Sequence, residues 1–544
     1  MHDRPHVAFV LAFSLAVLGF FPYMAHPGTR FFYGSVLLLL FVAVCFESNL
    51  TFRRVASLPM ALPLFAILLV SAVYVFHSIY PYQSQQKWVR LLIGVLMYVV
   101  AAFVAKGRRE RSILLWAVFA GGTLLSIHAL WLQSTGYAEL LSQLRQNPTY
   151  DATMQRELIR TLEAGRALGR FGNPNQLAGY MILVLWCGVL LWDLCREQWQ
   201  RVLIVVGRMI QIFCIYQTYS RSGLLALLFS AAVLGFWLVG RVSPFLRKVL
   251  LWGTTVGVLA AVLVLVAFGG QLLGGRLTTT STILARLHFF RQALSLIGDY
   301  FPDGAGLESF RYLATRYIRL GELESLYPHN IYLGAAVESG ILGLFAYFWL
   351  TIVGLRWWRR PNDMRSVVGW GSFATFILLS CIDFHNEVAE ILLLFLAIQG
   401  ICDSPYARGE VKTAFLPIGK LAVVVLSSGL WWFVIFCPYM AEKHQQLGLD
   451  QAAAGQPGVR HLRQAMAWAS RDAEIANNLG RALRMVPSSD SREEGLEYLR
   501  KATELNPYQA YFHGDLAEAL FDEGRTQEAL EANERARGLF LREK

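Results

Sequence analysis

Hydrophobic runs of about 17 residues or more follow one another along positions 7 to 438, separated by short polar segments. As a helix, each run is long enough to cross a hydrocarbon core of about 30 Å. The pattern predicts spans near 7–24, 31–47, 57–77, 88–105, 112–132, 174–194, 202–218, 222–240, 249–269, 330–357, 366–383, 386–402 and 416–438, about thirteen in all. From Ala441 to Lys544 no such run occurs. The expected fold class is all-α, a polytopic helical membrane protein with a C-terminal α-helical repeat domain, divided as 1–440 and 441–544. The first run follows a weakly basic start and lacks a convincing small-residue cleavage site, so it is expected to stay as a span.

The tail repeats itself. Leu496 and Ala502 recur about 34 residues later as Leu530 and Ala536, and Leu479-Gly480-x-Ala482 recurs as Leu516-Ala517-x-Ala519. A period of about 34 residues is that of tetratricopeptide helix pairs, which present docking surfaces or simply pack. Asn506-Pro507 falls between the two repeats, Gly524 falls at the turn inside the second, and residues 461–470 supply a leading helix. Two longer connections, near 133–173 and 270–329, also carry helical spacing. In the second, Ser281 or Thr282 could cap a helix with Leu284, Leu287, Leu294 and Leu296 on an apolar face, before Asp303-Gly304-Ala305-Gly306 forces a turn. An amphipathic helix at the membrane surface is expected there.

Composition excludes a single soluble enzyme: 16% of the 544 residues are charged and 55% hydrophobic, against roughly 25% charged in a soluble domain. The net charge is +11, yet the tail holds 14 basic and 17 acidic residues, so the basic excess belongs to the membrane loops. One alternate set of short loops contains Arg53-Arg54, Lys106/Arg108/Arg109/Arg111, Arg196/Arg201, Arg241/Arg247/Lys248, Arg359/Arg360/Arg365 and Arg408/Lys412. That set is expected to be cytoplasmic, which sends the opposite loops outward and, by the odd number of spans, the tail as well. The seven cysteines lie in or beside hydrophobic runs with no CxxC pair, as buried thiols would.

Polar groups at membrane depth are expensive, and four polar clusters crowd the outward side. They are Gly169–Ala178 with Arg170, Asn173 and Asn175; Thr218–Gly223 with Arg221; Arg286 with Arg291; and Pro328–Leu333 with His329 and Asn330, followed by Glu338-Ser339-Gly340. Arginine keeps its charge and offers a planar fork of donors, which suits a pyrophosphate or another oxyanion; anchoring to lipid headgroups is the alternative for any one of them. His329 could take a proton from an attacking hydroxyl, or be structural. Glu338 lies about 13 Å deeper if its helix is continuous, or ends a half-helix at Gly340. His385-Asn386-Glu387 is a second candidate that belongs to no cluster. No Asp-rich metal loop or Walker motif is present in the sequence, so a metal-free transfer without cofactor is expected, with no nucleic-acid partner.

The order and spacing of Arg170–Ala178, Ser220-Arg221-Ser222-Gly223, Arg286 with Gly304-x-Gly306, and Pro328-His329-Asn330-x-Tyr332-Leu333 with Glu338-x-Gly340 resemble the O-antigen ligase and polymerase superfamily of bacterial polysaccharide assembly. The resemblance covers roughly residues 170 to 345. It implies a membrane glycosyltransferase that takes an undecaprenyl-pyrophosphate-linked glycan at the outer face of the bacterial inner membrane and inverts the anomeric carbon. It further implies that Arg221 and Arg286 bind the pyrophosphate and that His329 activates the acceptor hydroxyl, with Arg170, Asn173, Asn175, Arg291, Asn330 and Glu338 as binding residues. The repeat tail, for which a ligase acting on lipid A core has no need, leaves the acceptor open among a lipid, a growing glycan and a protein. It also offers a surface for a protein partner. A transporter of lipid-linked glycan would instead place ionisable groups near the midplane in both halves.

The alternation of basic loops predicts the side of the tail. Alkaline phosphatase fused after about Arg460 is expected to be active, and a cytoplasmic reporter at the same place inactive. The reverse result would invert the whole topology.

Overall fold

The computed structural model describes residues 5–21, 27–47, 50–146, 152–240, 279–319, 322, 325–356, 363–408 and 417–540. The expected span near 249–269 lies outside them. Among the described residues there is no strand, and each of the other expected spans falls on a helix. Nine of these helices are long and apolar enough to cross a membrane, while His6–Val17 and Ala61–Phe76 are apolar but shorter. The chain is an all-α, multi-pass membrane protein.

Two helices form the centre. Pro81–Val104 and Pro174–Leu194 are buried over most of their length, and the short Ala389–Asp403 helix packs along the first of them. Their sequences explain this position. Pro174–Leu194 and the part of the other helix from Leu91 onward are apolar on nearly every side, and a helix without a polar face has to be enclosed by others. Around them lie Pro5–Val17 against Arg108–Trp131, Met364–Ile382 against Arg221–Gly240, and Ile331–Arg356 against Ala61–Phe76. All seven cysteines are free thiols, five of them buried.

The connections near 133–173 and 270–329 do contain helices. Tyr137–Gln146 and Ala152–Glu163 follow Arg108–Trp131, and Leu140, Leu141 and Leu144 close over Leu158, Leu162 and Leu168. Thr279–Tyr300 is a 22-residue helix, so Ser281 and Thr282 lie inside it and do not cap it. Its leucines do not share one buried face. Phe289, Ala293 and Leu296 turn inward, whereas Leu284, Leu287 and Leu294 stay exposed, because the neighbouring Ile331–Arg356 helix covers only one side.

Ile331–Arg356 is broken at Ser339 and Gly340, where Gly340 takes φ +55°, ψ −149°. Glu338 therefore ends a half-helix. The break opens backbone groups that the segment after Tyr300 satisfies: Ile341 N donates to Pro302 O at 2.9 Å, Ala305 N to Val337 O at 2.8 Å and Gly306 N to Glu338 O at 2.9 Å. A Cβ on Gly340 would stand 2.0 Å from Pro302 O, and one on Gly304 2.4 Å from Gly340 N. Only glycine permits this seam.

Beyond the long helix that runs from Pro417 through Trp431–Phe436 to Ala453, Val459–Trp468 leads into two helix pairs. These are Ala473–Arg484 with Ser489–Leu505, and Ala510–Asp522 with Thr526–Phe540. Gly524 turns the second pair at φ +72°. Leu496 is buried as its repeat position expects, but its counterpart Leu530 is 49% exposed, since no further pair follows to cover it among the described residues. The tail rests on the membrane part. Arg30 pairs with Glu442 at 2.6 Å, and Tyr508 joins Tyr80, Phe310 and Tyr312 in one cluster with the Arg316 guanidinium 5.2 Å from its ring.

Candidate active site

Asp383 caps the C-terminal end of Met364–Ile382 and gathers residues from three other segments. Asn175 Nδ2 donates to its Oδ2 at 3.0 Å, Arg286 Nη2 lies 3.3 Å from the same oxygen, and His329 Nδ1 lies 3.1 Å from Oδ1. The Phe384 amide completes Oδ1 at 2.9 Å. Burial works to raise the Asp383 carboxyl, but His329, His385 and Arg286 outweigh it and hold the group well below the usual carboxylate range. It is an anion that only accepts hydrogen bonds.

Each partner arrives through local chemistry legible in its sequence. Asn173 accepts the Asn175 amide at 2.9 Å and starts a helix with proline at its first turn. Asn175, the second residue of the helix, then bridges outward: its Oδ1 accepts Arg166 Nη2 at 3.2 Å and its carbonyl accepts His385 Nε2 at 3.0 Å. A Cβ on Gly179 would fall 2.4 Å from that same imidazole nitrogen, so the missing side chain admits His385. Burial lowers the His385 pKa despite Asp383, which fits a neutral ring donating from Nε2.

Arg166 Nε reaches Thr218 O at 2.9 Å and ties down the hairpin before Arg221. Ser220 Oγ accepts the Gly223 amide at 3.1 Å. Arg221 follows as the first residue of its helix. Its Nε and Nη2 are sealed from solvent and find no hydrogen-bond partner among the described residues. Arg286 is its electrostatic neighbour.

His329 adopts φ +55°, a left-handed conformation that costs a non-glycine residue of order 1 kcal/mol or more. The surroundings impose it. Asn330 Oδ1 accepts the Tyr332 and Leu333 amides at 3.0 and 3.1 Å, while its Nδ2 donates to Cys381 O at 3.1 Å. Phe289 stacks on the imidazole at 5.0 Å and Phe384 meets it edge-on at 4.9 Å. With Nδ1 turned to the carboxylate, the tautomer that carries its hydrogen there keeps a lone pair on Nε2.

The structure thus brings Arg286, His329 and Asn175 onto Asp383, ties Asn330 beside it, and sets Arg221 next to Arg286. Other expected site residues lie elsewhere or are occupied. Asn173 serves as a helix cap. Arg170 is exposed and has no contact with the Asp383 group. The Arg291 charge is met by Glu322 at 2.5 Å, with Tyr317 O at 2.6 Å. Glu338 pairs with Lys87 at 2.9 Å, and its Oε1 accepts the Glu308 amide at 3.1 Å. The hairpin 385–387 does belong to a cluster, contrary to expectation: His385 holds Asn175, and Glu387 pairs with Lys87 at 2.7 Å. Nearby Arg90 pairs with Glu308 and donates to Glu387 O at 3.1 Å. Burial works against the Glu308 carboxylate, but Arg90 and Lys87 outweigh it and keep its pKa low. The sequence reading passed over Asp383, Lys87 and Arg90, although Asp383 ends a hydrophobic run with no solubility reason to be there.

Removing the charge at the hub leaves the Arg286 guanidinium without its counter-ion. Asp383→Asn is expected to destabilise the protein by roughly 3 kcal/mol or more, and Asn175→Ala by about 1–2 kcal/mol. Thermal unfolding of the detergent-solubilised chain orders the two, and an unchanged midpoint for Asp383→Asn would show that Asp383 is not the hub.

Residues 203–348 match a family of membrane enzymes described as O-antigen ligase. No curated protein matches the chain. The matched segment holds Arg221, Arg286, His329, Asn330 and Glu338, while Asn175, Asp383 and Lys87 lie outside it. The 203–348 segment supports O-antigen ligase-like activity, in general terms, for this multi-pass membrane protein.

Proposed function

We propose that the protein transfers a glycan from an undecaprenyl-pyrophosphate-linked donor to an acceptor hydroxyl at the periplasmic face of the bacterial inner membrane. The observation that carries this reading is the half-buried Arg221 guanidinium, whose sealed Nε and Nη2 find no partner among the described residues. An unpaired charge of this kind is costly unless an anion comes to it. A pyrophosphate supplies oxygens for Arg221 and for the part of Arg286 not held by Asp383.

In the reaction the acceptor oxygen forms a bond to the anomeric carbon as the bond to the pyrophosphate oxygen breaks on the opposite side, inverting configuration. His329 Nε2 takes the hydroxyl proton, Asp383 steadies the imidazolium through Nδ1, and the two arginines take up the charge of the departing pyrophosphate. The helix pairs of the tail, which we read as tetratricopeptide-like, serve acceptor engagement or complex assembly. The acceptor is of the lipid, glycan or protein class.

Lysine gives a point charge where arginine gives a fork. In a transfer assay with lipid-linked glycan, Arg221→Lys is expected to lower kcat/KM by about 100-fold, nearly as far as Arg221→Ala. Full transfer by the Lys variant at normal protein level would reduce Arg221 to a general electrostatic anchor.

His329→Gln keeps a hydrogen-bonding side chain but cannot carry a proton at neutral pH. It is expected to lower kcat by about 10²–10⁴ while donor binding changes no more than about twofold, since proton removal matters in the transition state. Near-normal turnover would make His329 a positioning residue.

A further inference from the structure

At the end of the helix bundle away from the Asp383 hub, Arg108, Arg109 and Arg196 line an open cavity of about 610 Å³ together with Ser112, Ile113, Trp116 and Leu194. Two loops that are distant in sequence meet there, at the start of Arg108–Trp131 and the end of Pro174–Leu194. Arg108 Nη2 donates to Leu194 O at 3.2 Å, which fixes one wall. Among the described residues no acidic side chain pairs with any of the three arginines. The nearest acids are placed otherwise. Glu110 is buried and folded back over Gly107, and Asp193 and Glu197 are exposed. Arg201 adds a fourth cation close by, 5.6 Å from the Trp192 ring.

We propose that this cavity binds one anionic glycerophospholipid, its phosphate held by Arg108, Arg109 and Arg196 and its upper acyl chain laid on Ile113, Trp116 and Leu194. A basic mouth over an apolar floor is the chemistry of a lipid and not of a soluble oxyanion, which has no use for the floor. The volume lies within the range of about 300–1,000 Å³ usual for small-molecule sites. The exposed Trp192 and Trp199, 38% and 60% exposed, stand at the same end, where amphipathic rings settle at headgroup level. Basic pockets between membrane helices take anionic headgroups by the same physics. The proposal does not depend on the transfer reaction, whose hub is reached by Asn175 at the opposite end of Pro174–Leu194.

The test uses the full chain, delipidated in nonionic detergent, with native mass spectrometry to read bound lipid. Dioleoyl phosphatidylglycerol is expected to occupy the protein at least fivefold more than dioleoyl phosphatidylcholine. The double variant Arg109→Gln with Arg196→Gln is expected to lose that preference at least fivefold. Arg53→Gln with Lys420→Gln removes the same charge elsewhere at this end of the bundle, where Lys420 lies 5.7 Å from the Phe46 ring, and is expected to change occupancy less than twofold, with both variants unfolding at the wild-type temperature. Equal loss in the two doubles would mean generic attraction to the surface and would overturn the site. Displacement of the lipid by millimolar inorganic phosphate would assign the cavity to a soluble oxyanion instead, and equal binding of the two lipids would remove the role of the arginines.

Discussion

A charge held out of water must find a counter-charge, and in a helix bundle that partner usually belongs to another helix. Asp383 meets this demand with Arg286 and His329. A second group meets it with Lys87 between Glu338 and Glu387, and Arg90 on Glu308. The two groups are joined by the hairpin 383–387, whose Asp383, His385 and Glu387 face Arg286, Asn175 and Lys87 in turn. Buried ion pairs of this sort add little net stability compared with apolar packing, but breaking one is expensive, so they discriminate strongly between arrangements. Here the arrangement they select is the one in which six separate segments converge.

What could be read from the sequence followed from range. The period and length of the hydrophobic runs gave the helices, and the crowding of Arg221, Arg286, His329 and Asn175 at one end of the spans foretold their neighbourhood, because topology alone assigns residues to a face. Pairings were not legible. Nothing near Arg291 in the chain announces that Glu322 neutralises it, and nothing near Glu338 points to Lys87, some 250 residues earlier. Asp383 escaped notice since a lone carboxylate at the end of a run looks the same whether it caps a helix or organises a site. The exposure of Leu530 was hidden for a related reason: a repeat position is buried only when another repeat covers it.

The tail and the site share their supports. Residues 309–317, which carry Phe310, Tyr312 and Arg316 against Tyr508, directly follow Glu308 of the second ion group. The residues that bear on the tail and those that bear on the Asp383 hub are thus joined through Glu308, Arg90 and the hairpin 383–387.

The glycine seam between residues 302–306 and 337–341 works like a zip fastener closed at the base of a pouch. The chain leaves the seam after Gly306 and comes back to the site at His329, with Arg286 upstream of the seam. Lengthening such an excursion costs little, as loop-closure entropy grows only with the logarithm of length. Because the seam bonds form independently of the length of chain between them, an inserted residue leaves the seam closed.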